Sequence, residues 1–402
     1  MSKLDDLINE LCPNGVEYKK ISEVCEISRG IVMSKDFIRD NAGNYPVYSS
    51  QTENDGCLGY INTYKYDGEY LTWTTDGANA GTVFYRNGKF SVTNVCGLLK
   101  VININLITKF LFYALNIEAP KHVNRGMGNA KLMSNVMDSI SIPVPPLAVQ
   151  CEIVRILDNF TELTAELTAE LTARKKQYEY YRDSLLTFKT EIPRVKLGDI
   201  ATEIYRGSGI KKDEVTLDGI PCVRYGEIYT KYNIWFDSCV SHTKLEYVYS
   251  PKYFEYGDIL FAITGESVED IAKSIAYVGK EKCLAGGDIV VMKHKQNPKY
   301  LSYALSTVDA IKQKGKGKVK SKVVHSSVPA IQDIEIPLPP LEIQERIVNV
   351  LDNFDAICSD LKIGLPAEID ARKKQYEYYR DLLLRFELHG TNIATHTHTH
   401  TR

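Results

Sequence analysis

The chain repeats itself. The string SIPVPPLAVQCEIVRILDNF at 141–160 returns as EIPLPPLEIQERIVNVLDNF at 335–354, an offset of 194 residues, and ARKKQYEYYRD at 173–183 recurs letter for letter at 371–381, an offset of 198. Self-similarity of this kind decides architecture ahead of any local propensity, because both copies must fold alike. The offsets differ by four because 12 residues, TELTAELTAELT, separate Phe160 from Ala173, whereas 16, DAICSDLKIGLPAEID, separate Phe354 from Ala371. Four residues are a little over one helical turn. The 402 residues therefore divide into variable regions at 1–140 and 189–334, repeated segments at 141–188 and 335–388, and a tail at 389–402. Each variable region has the size of an ordinary domain.

The two kinds of segment differ in pattern. The variable regions hold short runs rich in Tyr, Val, Ile and Thr, such as EYLTWTTDG, TVFYRNG, DILFAITG and SIAYVG, cut by Gly, Asn and Asp. These predict β-strands with tight turns. Late helical patterns, KFLFYAL from 109 and KYLSYAL from 299, make each region α+β. Both regions open with a stretch ending in Arg-Gly, at Arg29-Gly30 and Arg206-Gly207. In the repeated segments, Pro143, Pro145 and Pro146, like Pro337, Pro339 and Pro340, impose an extended lead-in. After them Val149, Ile153, Ile156, Phe160, Leu163 and Leu167 step by four and three, as do Ile343, Ile347, Val350, Phe354, Ile357 and Leu361. The spacing predicts one helix from about Ala148 to Phe188, roughly 60 Å long, and a second that kinks or breaks at Gly364 and Pro366. Two like helices pack most simply about a pseudo-two-fold axis, as an antiparallel coiled coil. The alternative is that each packs only on its own domain.

Composition excludes several classes. With 44% hydrophobic and 25% charged residues the chain is globular, and 49 basic against 51 acidic residues leave room for local basic patches only. Nine cysteines, odd in number and never spaced C-x-x-C, read as reduced thiols of a cytoplasmic protein. No run of about 18 apolar residues suggests a membrane span. Phosphate-loop, dinucleotide, H-E-x-x-H, G-x-S-x-G and kinase signatures are all missing. Asp258 and Asp288, with nearby lysines, resemble a nuclease site only as loosely as any charged strand does. No catalytic residue and no metal ligand is expected.

What remains is binding. In IKQKGKGKVKSK, Lys312, Lys314, Lys316, Lys318, Lys320 and Lys322 fall at every second residue, a pattern suited to tracking phosphates. KHVNRGMGNAK supplies Lys121, Arg125 and Lys131 at the equivalent place in the first half. A basic, glycine-bearing loop at one point in both halves argues for a shared ligand, a nucleic-acid backbone. Arg29, Arg86, Asn94, Arg206, Arg224 and Trp73 are candidate base contacts. The TAEL units at 164–171 read as good helix formers, and also as a ruler, since one more unit adds about 6 Å of helix. His396, His398 and His400 belong to a low-complexity, disordered tail.

The tandem arrangement, the IPVPPLAVQ and IPLPPLEIQ strings leading into LDNF, the ARKKQYEYYRD segments and the TAEL units together resemble the specificity subunit of bacterial type I restriction–modification enzymes. That resemblance implies two target recognition domains, each reading half of a bipartite double-stranded DNA site. It implies that 141–188 and 335–386 form an antiparallel spacer that docks two methyltransferase subunits, through side chains such as Phe160, Leu163, Leu167, Tyr178, Tyr181, Phe354, Tyr376 and Tyr379. S-adenosylmethionine, ATP and magnesium would sit on those and on restriction/translocase subunits, with no cofactor on this chain. The alternative is a coiled-coil scaffold with two ligand-binding domains not specific for DNA; a nuclease is the least supported reading.

Overall fold

A computed structural model describes residues 3–126, 128–188, 192–316, 323–359 and 363–386. They form two compact units, one of residues 3–167 with 369–386 and the other of 168–368. The cut does not follow the repeat boundaries, because it falls within the long helix of the first copy and within the first turn of the last helix of the second, after Glu368.

In the first unit β1 (Cys25–Arg29), β2 (Ala42–Tyr48), β3 (Cys57–Ile61), β4 (Tyr66–Thr74), β5 (Val83–Val92) and β6 (Cys96–Val101) make one sheet in the order β1-β6-β4-β5-β2-β3. Helix α1 (Thr108–Glu118) covers it, burying Phe110, Leu111 and Leu115 with Leu71, Trp73 and Leu99. Helix α2 (Leu147–Leu185) is the predicted long helix, 39 residues unbroken.

The second unit repeats this plan. β7 (Ala201–Arg206), β9 (Trp235–Phe236), β10 (Ile259–Ala262), β11 (Ser274–Tyr277) and β13 (Ile289–His294) form a sheet in the order β7-β13-β10-β11-β9, while β8 (Ile220–Val223) and β12 (Cys283–Ala285) belong to a second five-stranded sheet. Register exposes the equivalence. β2 lies parallel to the end of β5, Tyr48 opposite Val92, as β8 lies parallel to β12, Val223 opposite Ala285. Helix α3 (Pro298–Leu305) takes the place of α1, and α4 (Val308–Gly315) follows it. The repeated segment then gives two helices, α5 (Leu341–Ser359) and α6 (Leu365–Leu383), separated where Gly364 and Pro366 predict a break.

The proline-bearing lead-ins are strands: Ser141–Val144 pairs with Glu17–Lys20, and Glu335–Pro337 with Arg194–Lys196. Beyond them each helix is anchored by two residues of the repeat. Gln150 is fully buried, accepts from the Ile107 N–H at the start of α1 and donates to Asn105 O and Pro145 O; Gln344 likewise accepts from the Asn297 N–H and donates to Gln296 Oε1 and Pro339 O. Asp158 accepts from Lys109 Nζ at 2.7 Å and from Tyr113, and Asp352 accepts from Lys299 Nζ and Tyr303 at 2.7 Å each.

These anchors alter the predicted seam. Val149, Ile153 and Leu157 are buried, as are Ile347 and Leu351, whereas Val350 and Ile357 are 43% exposed, which corrects their place in a heptad stripe. The first turns follow the 3.6-residue period of a helix lying on a domain, not the 3.5-residue period of a coiled coil. Further along, the aromatic residues of the repeats meet. Phe160 stacks on Tyr379 in the first unit and Phe354 on Tyr181 in the second, ring centroids 5.5 Å apart in both. Tyr376 packs into the first core and Tyr178 into the second, while Leu163 and Leu167 are half-buried; Leu361 lies outside the described residues.

Candidate nucleic-acid interface

The two Arg-Gly steps occupy one structural position. β1 ends at Arg29 opposite Gly97 of β6, and β7 ends at Arg206 opposite Val290 of β13. A Cβ on Gly30 would lie 1.7 Å from Val92 O and one on Gly207 would lie 2.2 Å from Gly286 O, so at both places only glycine lets the chain pass. The hairpin following β5 or β12 runs alongside. Asn94 N–H donates to Ile31 O at 3.0 Å, and Ser208 N–H donates to Ala285 O at 2.9 Å. Asn94, whose side chain is exposed, is thus tied to the backbone two residues beyond Arg29.

The arginines are held differently. Arg29 donates from Nε to Ser134 Oγ at 3.2 Å and from Nη2 towards Met133 Sδ at 3.8 Å. Arg206 donates from Nε to Gly287 O and from Nη2 to Asp288 Oδ1, both at 2.5 Å. Arg224 is tied to Glu227, which accepts its backbone N–H at 2.9 Å and its Nη2 at 3.1 Å, and also accepts from Ser241 Oγ. Arg206 and Arg224 line one open cleft of about 1180 Å³ with Lys211, Lys212 and Lys231. Nothing in the spacing of those three lysines singles them out; only the fold gathers them.

The basic, glycine-bearing segments also correspond. Lys131 makes antiparallel bridges to Asn124 and to Asp76, and Leu132 N–H then donates to Thr75 O at 2.9 Å, beside the loop after β4. In the second unit Val324–His325 pairs with Thr264–Gly265, and Ser326 N–H donates to Ile263 O at 2.8 Å, beside the loop after β10. Arg125 and Lys131 are exposed, and Lys121 pairs with Glu118 at 2.8 Å. Lys312 and Lys316 are exposed; Lys318, Lys320, Lys322 and the histidine tail lie outside the described residues.

Three candidates are corrected. Lys314 is buried, donating to Ser274 Oγ at 3.0 Å and Leu305 O at 2.9 Å, because helix α4 runs through Gly315 and turns alternate residues to different faces. Burial, with Lys273 nearby, lowers its pKa to about 7. Arg86 is 3% exposed, bonded to Thr72 Oγ1 and Asp55, with its guanidinium 3.6 Å from the Tyr48 ring centroid. Trp73 is fully buried against Gly97, its indole N–H donating to Leu132 O at 3.0 Å. Among the described residues no group of three or more His, Cys, Asp or Glu is placed to hold a metal ion, and no helix is long and apolar enough to cross a membrane.

The sequence profile of the type I restriction modification DNA specificity domain matches residues 13–174 and again 191–371. The chain belongs to this family. A type I specificity subunit of Mycoplasma pneumoniae is 35% identical over 372 residues, 91% of this chain and 97% of the relative. The specificity subunit of the M. pneumoniae type I restriction enzyme MpnII is 47% identical over 176 residues, 43% of this chain and 53% of that one. Two solved structures share the fold at low identity. One is the type I restriction–modification S subunit from M. genitalium, with a TM-score of 0.53 at 16% identity over 92% of this chain and 95% of that one. The other comes from work on complex assembly of a type I system, with a TM-score of 0.61 at 14% identity, covering 93% and 98%. Both profile matches cover a strand region with its basic loop, so the specificity fold is present twice in one chain.

Proposed function

We propose that this chain is the DNA-reading, noncatalytic subunit of a type I restriction–modification enzyme, each α+β unit contacting one half of a bipartite duplex site. The duplicated match to the DNA specificity family carries the reading, and the equivalent basic rims of the two units support it. Exposed cations such as Lys131, Lys212 and Lys316 supply the phosphate contacts that position a protein on duplex DNA, while loop side chains beside them meet base edges. The repeated helices set the distance between half-sites as an antiparallel pair. Reciprocal stacking of Phe160 on Tyr379 and Phe354 on Tyr181 supports that pairing, since two like helices exchanging equivalent contacts is how an isologous interface is built. The same helices dock two methyltransferase subunits, which carry S-adenosylmethionine; ATP and magnesium serve restriction/translocase subunits in the cytoplasm.

The test is to express the chain with its modification subunits and map methylated adenines genome-wide. A split motif with a fixed nonspecific spacer is expected. A contiguous motif would overturn the two-unit reading, and no sequence-dependent binding would favour the scaffold alternative.

A further inference from the structure

The geometry points to Arg206 as the residue that reads a guanine in the half-site of the second unit, with Asp288 positioning it; this rests on the DNA-reading function proposed above. A guanidinium has two edges that can donate in pairs, the side edge of Nε and Nη2 and the end edge of Nη1 and Nη2. In Arg206 the side edge is taken inside the protein, by Gly287 O and Asp288 Oδ1. Nη1 has no hydrogen bond to a described residue, the side chain is 59% exposed, and it lines the 1180 Å³ cleft. The end edge is therefore free and already oriented by two short bonds, so little rotamer freedom is lost when a ligand arrives.

Two ligands suit such an edge, a phosphate and the O6/N7 edge of guanine. Local charge decides between them. The phosphate contacts of this cleft fall to its exposed lysines, Lys212 and Lys231, while Asp288 offsets the charge of the guanidinium it holds and leaves a fixed pair of donors, which suits a base edge better than a phosphate. A carboxylate that steadies an arginine from behind thus favours the base over the backbone. Arg29 stands at the equivalent strand end but is held by the neutral Ser134 and Met133, so the argument against phosphate does not extend to it. The backbone also belongs to the device. The Gly207 approach to Gly286 brings the Gly287–Asp288 corner within reach of the side chain that precedes the glycine.

The test uses the chain complexed with its modification subunits. For the wild-type complex, binding is measured to duplexes in which each guanine of the mapped motif is replaced in turn by 7-deazaguanine, which removes N7. One guanine in one half-site should lose affinity. Arg206→Ala should abolish that sensitivity and relax the motif at the same position, with discrimination falling roughly 10- to 100-fold. Arg206→Lys keeps the charge but not the fork, and should relax it as well; Asp288→Asn should weaken discrimination there and nowhere else. The other half-site, unchanged in all three, reports that the complex is folded. Insensitivity of the wild type to every 7-deaza substitution would overturn the assignment. So would an Arg206→Ala loss equal for all sequences with a shallower salt dependence, the mark of a phosphate contact. Absence of any split motif in the wild type would instead overturn the DNA-reading function itself.

Discussion

Lys314 carries its amino group into the second unit, where burial and the neighbouring Lys273 hold its pKa down to about 7 against an ordinary 10.5. Below pH 7 the ammonium is charged in folded and unfolded chains alike, and its burial costs stability. Between about pH 7 and 10.5 the unfolded chain binds the extra proton, so stability rises with pH across that window. Urea unfolding at pH 7 and pH 9 should show the second unit gaining on the order of 1–2 kcal/mol at the higher pH, and Lys314→Met should remove most of that gain. Gln344 makes the opposite kind of contribution. Gln344→Ala strands the Asn297 N–H and Pro339 O, and should destabilise the second unit by about 2 kcal/mol or more in the same measurement. Neither role is legible in the sequence. An alternating lysine run looks solvated throughout until α4 is known to extend to Gly315, and the glutamine is one polar letter in a proline-rich string. Asp158 and Asp352 were visible as the Asp of LDNF, and Lys109 and Lys299 as the Lys of the late helices. What the sequence lacked was the register joining them across about 50 residues.

At the level of elements, repetition and composition were enough to place the long helix, the break in its second copy and the main strands, because these depend on local pattern. The predicted heptad stripe failed at Val350 because the early turns of α5 answer to a domain surface, through Ile347, Val348 and Leu351, and not to another helix; in its last turn Cys358 is buried in place of Ile357. The aromatic contacts belong to the later turns. A double-mutant cycle on Phe160→Ala and Tyr379→Ala should give a coupling of about 0.5–1.5 kcal/mol in thermal or urea unfolding, and the cycle on Phe354 and Tyr181 should match it. Inserting one more TAEL after Leu167 lengthens α2 by about 6 Å. Adenine mapping of that variant should return the same two half-sites with a longer spacer; an unchanged spacer would sink the ruler.

For the whole molecule, each recognition rim is built almost entirely within one variable region. Exchange of 189–334 for the corresponding region of a relative should therefore change one half of the mapped motif and leave the other half and the spacer intact. The helices obey a different bookkeeping. Residues up to 167 of α2 pack in the first unit and the remainder in the second, while α5 serves the second unit and α6 returns to the first, where Tyr18 donates to Phe386 O at 2.9 Å. Each compact unit is closed by a helix from the other copy, so Phe160 and Phe354 find their partners only across the repeat. A gene encoding one copy would make a protein with an open flank that a second identical molecule fills. The exchange of helices thus separates two kinds of constraint: each variable region can differ from the other, while the repeated helices must keep their reciprocal contacts.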